Sequence, residues 1–445
     1  MMRSMYSGVS GLRVHQTRMD VIGNNIANVN TVGFKSGRVI FSDVFSQLSR
    51  GASGPNADTG RGGTNPMQIG LGANVYSIDN MMTRGSVQRT DNPTDLAIDG
   101  EGFFVVRGGQ FDTFKFTRAG NFTLDAVGNL VTSSGLNVMG WQLYAYDKAT
   151  DSYVFDTEQP LEGINIYTDT HNGNKRILAP QATSFAAFTG NLDADAADNA
   201  TSAMNVPFIV YDEIGNKHDI NVRFTATSTN PNVDRTWSWE ITSGAGYSVT
   251  AGGTGGTVTF GTGSANAKNG IVTAVNGAAP AAVNIQITPS APSIASPLTV
   301  SLDFTKMTQY ASVSNAKASK VDGYETGTFQ TFSIGSDGVV SAIYSNGQMK
   351  PLAQIALATF ENPGGLLKEG DNLFSQTTNS GAFTRAVRPT YEGTGQLAPG
   401  TLEMSNVDLS REFSDMIVTQ RGFQANTRII TTSDEMLQEL VNLKR

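Results

Sequence analysis

The sequence predicts an α+β chain. Mostly β body domains lie between N- and C-terminal α-helices, which pair in a coiled-coil-like manner. Three observations carry this. Apolar residues recur every seven positions at both ends, the middle alternates with the period of two of half-buried strands, and the composition is Gly-rich and charge-poor. Of 445 residues, 48 are Gly, none is Cys and 16% are charged. About 150 residues per domain suggests roughly three domains, and a chain of this length can bury real cores without staples.

At the N-terminal end Met5, Leu12, Met19 and Ile26 are seven apart, and Ile22 and Val29 continue the stripe three positions on. That is a helix with one narrow apolar seam. Gly8, Gly11 and Gly23 lie inside it, each costing about 1 kcal/mol relative to Ala, so the helix is weak in isolation. At the other end Leu409, Met416, Phe423, Ile430 and Leu437 form an unbroken series. Phe413 and Val441 sit in a second column whose middle is polar, at Gln420, Thr427 and Asp434. Ser405 or Asp408 suits the start as a cap, and five heptads without Pro make a helix of about 50 Å. One such helix alone reads as an ordinary packed helix. Two of them around a β-rich middle point to pairing, with each other or with neighbouring copies.

Between the ends, roughly over 75–400, Ile220, Val222 and Phe224 alternate with polar residues, as do Trp237, Trp239 and Ile241. Turn signals at Asp99-Gly100, Asp337-Gly338, Val127-Gly128-Asn129 and Ile214-Gly215-Asn216 separate short strands. Residues 243–300 hold one charge, Lys268, and ten Gly. Strand candidates at Thr257–Phe260, Ile271–Val275 and Val283–Ile287 favour a β-domain with long loops over a flexible linker there. The Gly-, Asn- and Thr-rich stretch Ser49–Met67 reads as a linker or extended loop.

Most chemistry is excluded. Without Cys there is no disulfide, thiolate metal site, cysteine nucleophile or Cys-derived crosslink. His15, His171 and His218 are too scattered for a multi-His metal site or a Ser-His-Asp triad. Ser10 lacks the Gly that a nucleophile elbow needs two positions on, and Gly252–Gly256 has no following Lys and no helix. Asp193, Asp195 and Asp198 resemble part of a calcium loop, but Ala197 stands where an acid is needed. Asp91, Asp95, Asp99 and Glu101 lie among turn signals and read as turn caps, not paired acids. No enzyme, cofactor or metal site is expected. A net charge of −8 with no basic run argues against nucleic acid, and no apolar run of 18 residues argues against membrane insertion. The first residues lack the apolar region of a cleaved signal, which taken alone suggests the cytoplasm.

The same ends carry a resemblance. Asn24-Asn25-Ile26-Ala27-Asn28-Val29-Asn30-Thr31-Val32-Gly33-Phe34-Lys35 resembles the N-terminal signature of bacterial flagellar rod and hook axial proteins. Ser405-Asn406-Val407-Asp408-Leu409-Ser410-Arg411-Glu412-Phe413 is similar to the opening of their C-terminal helix, and Met416–Arg421, Gln424–Asn426, Asp434–Gln438 and Val441–Leu443 continue the match. Internally, Asp95–Phe104 and Phe116–Phe122 resemble the start of their body domain. The length and the segment Val206–His218, which resembles an outer domain, favour the hook branch. Ser49–Met67 looks like an extra segment of the distal rod and leaves the rod reading as the alternative; a β-rich extracellular adhesin is the more distant one.

The resemblance implies a homopolymer: a curved, flexible tube that couples the rod to the filament. Residues 1–29 and 405–445 then line the inner tube, with extended linkers at 30–74 and 392–404. The body spans 75–160 and 315–391, and an outer domain is inserted at 161–314. Implied partners are the flagellar rod, the hook cap, the hook–filament junction proteins, the type III export gate and the hook-length control protein. Export then proceeds without a cleaved signal, which replaces the cytoplasmic reading with an extracellular one. Phe41 and Phe45 have the spacing of an export-gate motif; the same spacing reads equally as a structural pair.

Overall fold

A computed structural model describes residues 2–55, 62–109, 112–147, 152–195, 203–227, 235–242, 247–251, 255–261, 270–289 and 297–443. The chain divides into two compact units. The first comprises Met1–Asn174, Phe332–Ala342 and Lys350–Arg445, the second Lys175–Thr331 and Ile343–Met349.

The first unit opens with helix α1 (Met2–Ala27). Strand β1 (Gly37–Asp43) and strand β4 (Ala73–Asn80) pair antiparallel, from Gly37 opposite Asn80 to Asp43 opposite Ala73, with a bulge between Ile40 and Phe41. Between them β2 (Ser46–Arg50) pairs with β3 (Met67–Gly70). The Ser49–Met67 stretch expected as a linker or loop thus contributes strand residues at both ends. It is bridged further by Ser53 and Thr64, and 56–61 lie outside the described residues. Its sparse apolar residues hide the pairing from a pattern reading.

The body follows with β5 (Val87–Arg89), β6 (Leu96–Asp99), β7 (Phe103–Gly108) and β8 (Thr113–Thr117). Strand β7 runs between β8 and the strand Asn137–Trp141. Leu96–Ile98 and Phe103–Val106 are wholly buried, as continuous apolar strands covered on both faces must be. Their core joins Phe103, Val105, Phe116, Met139, Leu366 and Phe374. On its return the chain lays Gln396–Pro399 along β6 and Thr401–Glu403 along β5. This delivers Asp408 to the start of helix α2 (Leu409–Asn442), where its carboxylate accepts from the Ser410 and Arg411 amides.

The second unit is a β-sandwich. One sheet orders Ala203–Tyr211, Lys217–Ala226, Arg235–Thr242, Gly255–Phe260 and Val272–Val275. The other orders Tyr247–Ala251, Val283–Pro289, Leu298–Tyr310, Phe185–Asp193 and Lys317–Val321. Phe188, Phe208, Phe224, Trp237, Trp239 and Phe304 pack between them. The alternation read from Ile220–Phe224 and Trp237–Ile241 points these side chains inward. Strands occupy the three sites read in 243–300, while 243–246, 252–254, 262–269 and 290–296 lie outside the described residues. Pro207 sits on the edge strand, where a missing N–H is tolerated.

One turn is used in both units. The Asp125 carboxylate accepts from the Val127, Gly128 and Asn129 amides, and Asp212 from those of Ile214 and Asn216. Gly128 and Gly215 carry φ of +100° and +93°, which only Gly adopts without strain. These are the turns that the Gly-Asn signals mark.

Candidate assembly interface

Helices α1 and α2 pack antiparallel through glycine. A Cβ on Gly11 would lie 2.8 Å from the Asn426 amide, one on Gly422 2.7 Å from the His15 ring, and one on Gly8 3.3 Å from Ile430. The glycines that weaken the isolated helices are what let these backbones approach. Further along, Arg18 donates to Asp415 at 3.0 Å and Asn25 to Glu412 at 3.2 Å. The facing positions on α1 are therefore Gly8, Gly11, His15, Arg18, Ile22 and Asn25. On α2, Thr419 and Ser433 are buried, and each hydroxyl is satisfied by donating to a carbonyl of its own helix, Asp415 and Ile429.

This line differs from the seven-residue apolar series. Ile22 is buried within it and Ile430 meets Gly8, but Met5, Leu12, Met19, Ile26 and Val29 are only half-buried, as are Met416, Phe423, Ile430 and Leu437. Leu409, Phe413 and Val441 are exposed, the last two at 50% and 68%. Close approach through small residues leaves the larger apolar ones on the flanks. Periodicity identified the helices, and only the packing shows which stripe touches the partner.

The signature Asn24–Lys35 ties α1 to the body. Asn25, 2% exposed, donates to the Gly37 carbonyl and accepts from the Gly37 amide, holding β1 as a neighbouring strand would. Asn28 bonds Asn24, and Thr31 bonds Asn28, which closes the end of α1. Ala27 and Asn30 are exposed. Gly33, at φ +68°, lies where a Cβ would meet the Ala119 amide at 2.6 Å. Phe34 is buried beneath the Lys368 ammonium, 3.8 Å from its ring.

Sequence reasoning missed the charged cluster beside it. Lys35, Glu403 and Arg118 are almost wholly buried. The Glu403 carboxylate accepts from Lys35 Nζ at 2.6 Å, from Arg118 Nη1 at 3.2 Å and from the Gly85 amide at 3.0 Å. Lys35 also donates to the Thr83 carbonyl and Arg118 to that of Gly100. Burial pushes the pKa of Lys35 and of Arg118 down, and the Glu403 charge opposes this. Asn406 completes the junction, accepting from the Ser36 amide and donating to the Met81 carbonyl. No local signal marks such a cluster, since Glu403 lies 368 residues from Lys35 and 285 from Arg118 in sequence.

The two phenylalanines separate. Phe41 is half-buried, edge-on to His15 at 6.0 Å and beneath the Arg18 guanidinium, whereas Phe45 is 64% exposed. Burial, then Arg18, lowers the His15 pKa. Burial raises that of Glu412, against the bond from Asn25. Among the described residues no group of three or more His, Asp or Glu is placed to hold a metal, and no helix is long and apolar enough to cross a membrane. Asp198, part of the calcium-loop reading, lies outside the described residues.

Four families match consecutive parts of the chain. Residues 5–35 match the Flagella basal body rod protein family, and 97–175 the Flagellar hook protein FlgE/F/G D1 domain. Residues 172–324 match the Flagellar basal body protein FlaE D2 domain, and 398–443 the Flagellar basal body rod FlgEFG protein C-terminal family. The flagellar hook protein FlgE of Borreliella burgdorferi is 40% identical and that of Treponema pallidum 38%, each over the full length of both chains. The flagellar basal-body rod protein FlgG of Bacillus subtilis is 33% identical, also over the full length of both. With the paired terminal helices and the β-rich units between them, these matches establish that the chain belongs to the flagellar hook protein family, as a structural subunit of the hook.

Proposed function

We propose that copies of this chain assemble through their terminal helices into a curved, flexible tube that couples the flagellar rod to the filament and transmits torque. The observation that carries this is the helix pair. Its own contact is made by glycines and hydrogen-bonded polar groups, while Phe413, Ile417 and Val418 on α2 stay at least half exposed. Large apolar side chains left open along a helix favour neighbours, at about 1.5–3 kcal/mol for each one fully buried. The helix pair then forms the inner tube, the β-rich body surrounds it, and the inserted segment expected at 161–314 supplies the outer layer. The Gly-rich, nearly uncharged composition of 243–300 suits sliding contacts, because strong ion pairs would hold one register.

In this reading the subunit leaves the cell through the type III export gate without a cleaved signal and works outside it. Phe41, half-buried against α1 in the folded subunit, reaches the gate only in the unfolded chain, whereas Phe45 is open in both. The flagellar rod, hook cap, hook–filament junction proteins and hook-length control protein are its partners. Negative-stain microscopy and sedimentation of purified protein test the reading. Phe423→Asp is expected to abolish tubes while the β-rich units keep their circular dichroism, and deletion of the outer segment is expected to leave tubes of altered curvature. Normal tubes from Phe423→Asp refute the seam. The FlgG match favours a stiff, straight rod segment as the second reading, and tube curvature separates the two.

A further inference from the structure

Helix α2 runs past α1. Gly8 lies against Ile430, Gly11 against Asn426 and His15 against Gly422, and continuing that register brings Met2 level with Glu435. Among the described residues no part of α1 lies alongside the turns from Met436 to Asn442. Met436, Leu440 and Leu443, spaced four and three apart on one face, are 46%, 49% and 81% exposed there. Elsewhere on the same unit, a groove of about 460 Å³ opens between α1 and the start of β4. Tyr6, Val9, Arg13, Val44 and Val75 are among its lining residues, and Tyr6, Val9 and Val44 are exposed.

One charge pair is complementary between the two surfaces, Arg13 in the groove lining and Glu439 on the exposed end of α2. From Met2 to Met19, α1 carries Arg3, Arg13 and Arg18 and no carboxylate. Arg18 is paired with Asp415; Arg13 has no ion partner among the described residues. Beyond the part of α2 level with α1, Glu439 is the one charged residue up to Leu443, and Lys444 and Arg445 follow in the sequence. Glu439 likewise has no ion partner among the described residues. Within one chain Arg13 lies level with Gln424, fifteen residues before Glu439, or about 22 Å along the helix, so the two can meet only between copies.

We propose that the exposed end of α2 of one copy seats in the α1–β4 groove of a second copy, with Met436, Leu440 and Leu443 against Tyr6, Val9 and Val44, and Glu439 beside Arg13. This rests on the homopolymer reading above and assigns one of its contacts. The contact joins two different surfaces, so its repetition gives a ring where the rotation closes and an open helical array where it does not, and the tube proposed above needs the open array.

The absence of cysteine gives a clean test. Within one chain positions 9 and 440 are about 18 Å apart along the helix pair, too far for a disulfide. Full-length Val9→Cys/Leu440→Cys, assembled and then oxidised, is expected to give a ladder of dimers and higher oligomers on a non-reducing gel. Tubes that form but run as monomer overturn the proposal. So does a ladder from Val9→Cys/Leu48→Cys in place of it, which puts a neighbour's β2–β3 ribbon in the groove. If the cysteine variants do not assemble, charge reversal decides. Arg13→Glu is expected to raise the critical concentration about tenfold, and Arg13→Glu/Glu439→Arg to restore it; absence of rescue overturns the contact. Failure of the parent chain to assemble refutes the homopolymer reading itself.

Discussion

Glu403 holds two buried cations, and removing its charge while keeping its shape is a direct test of the junction between helices and body. In Glu403→Gln the new amide can still accept one hydrogen bond, from Lys35 or from Arg118. It neutralises neither, and its NH2 group turns a donor toward groups that are themselves donors. Lys35 and Arg118, 1% and 5% exposed, then sit close together without a counter-charge. Breaking a buried ion pair from one side costs about 3–5 kcal/mol. At about 2 °C per kcal/mol, the low end that suits a unit larger than 250 residues, the melting transition of the first unit should fall by roughly 6–10 °C. The assay is thermal unfolding by circular dichroism in a Trp141→Phe background, so that the tryptophan signal comes from Trp237 and Trp239 and reports the sandwich as an internal control. Lys35→Met/Arg118→Met/Glu403→Met should recover much of the loss, because an apolar cluster of similar volume carries no unpaired charge. A fall below about 2 °C in Glu403→Gln would refute the reasoning, since it would mean that water reaches the site.

The glycines separate into two classes. Gly23→Ala, with nothing within 4 Å of its Cβ, should stabilise isolated subunits by up to about 1 kcal/mol in urea titrations. Gly422→Ala, aimed at the His15 ring, should lose about 1–2 kcal/mol, the overpacking exceeding the propensity gain. The His15 pKa is lowered, so the unfolded chain binds the proton more readily. Its contribution to stability is therefore complete above pH 6.5 and is lost as pH falls from 6.5 through the folded value. His15→Gln should remove that part of the acid dependence, measured by urea midpoints across the window; an unchanged slope contradicts the packing of the ring. Phe45→Ala should leave the melting temperature unchanged while Phe41→Ala lowers it, because only Phe41 packs on α1.

The two helices and the sandwich strands were legible because each has a short, regular period that burial enforces. Trp237, Trp239 and Ile241 point inward for the same reason that they alternate. The helix–helix contact was not legible. Gly8, Gly11 and Gly422 look like penalties in a propensity reading, and their value appears only when Asn426, Ile430 and His15 are placed opposite them. The charged junction was hidden for another reason. Lys35, Arg118 and Glu403 come from three distant segments, and in each a lone charge reads as solvated. The ribbon from β1 to β4 escaped because its tip carries turn residues in place of alternating apolar ones.

The narrowness of the helix contact bears on when the helices form. They comprise 26 and 34 residues, and fixing each backbone costs about 1–2 kcal/mol, while the pair buries few large apolar side chains against itself. Polar contacts such as Arg18–Asp415 and Asn25–Glu412 select the register, and the first, at partly exposed positions, contributes little net stability. In the proposed tube, neighbours cover the rows Met5, Leu12, Met19 and Met416, Phe423, Leu437, which are half-buried in the single chain. Helix formation and assembly should therefore be coupled, with the free ends of α1 and α2 fraying in the isolated subunit. Circular dichroism at 222 nm, compared between dilute subunits and sedimented polymer, should show helix gained on assembly, and hydrogen exchange at the amides of Met5–Leu12 and Ile430–Leu437 should slow by orders of magnitude. Equal helix content and equal exchange in the two states would mean that the glycine contact suffices alone, and that the flanking apolar rows act in assembly without any folding step.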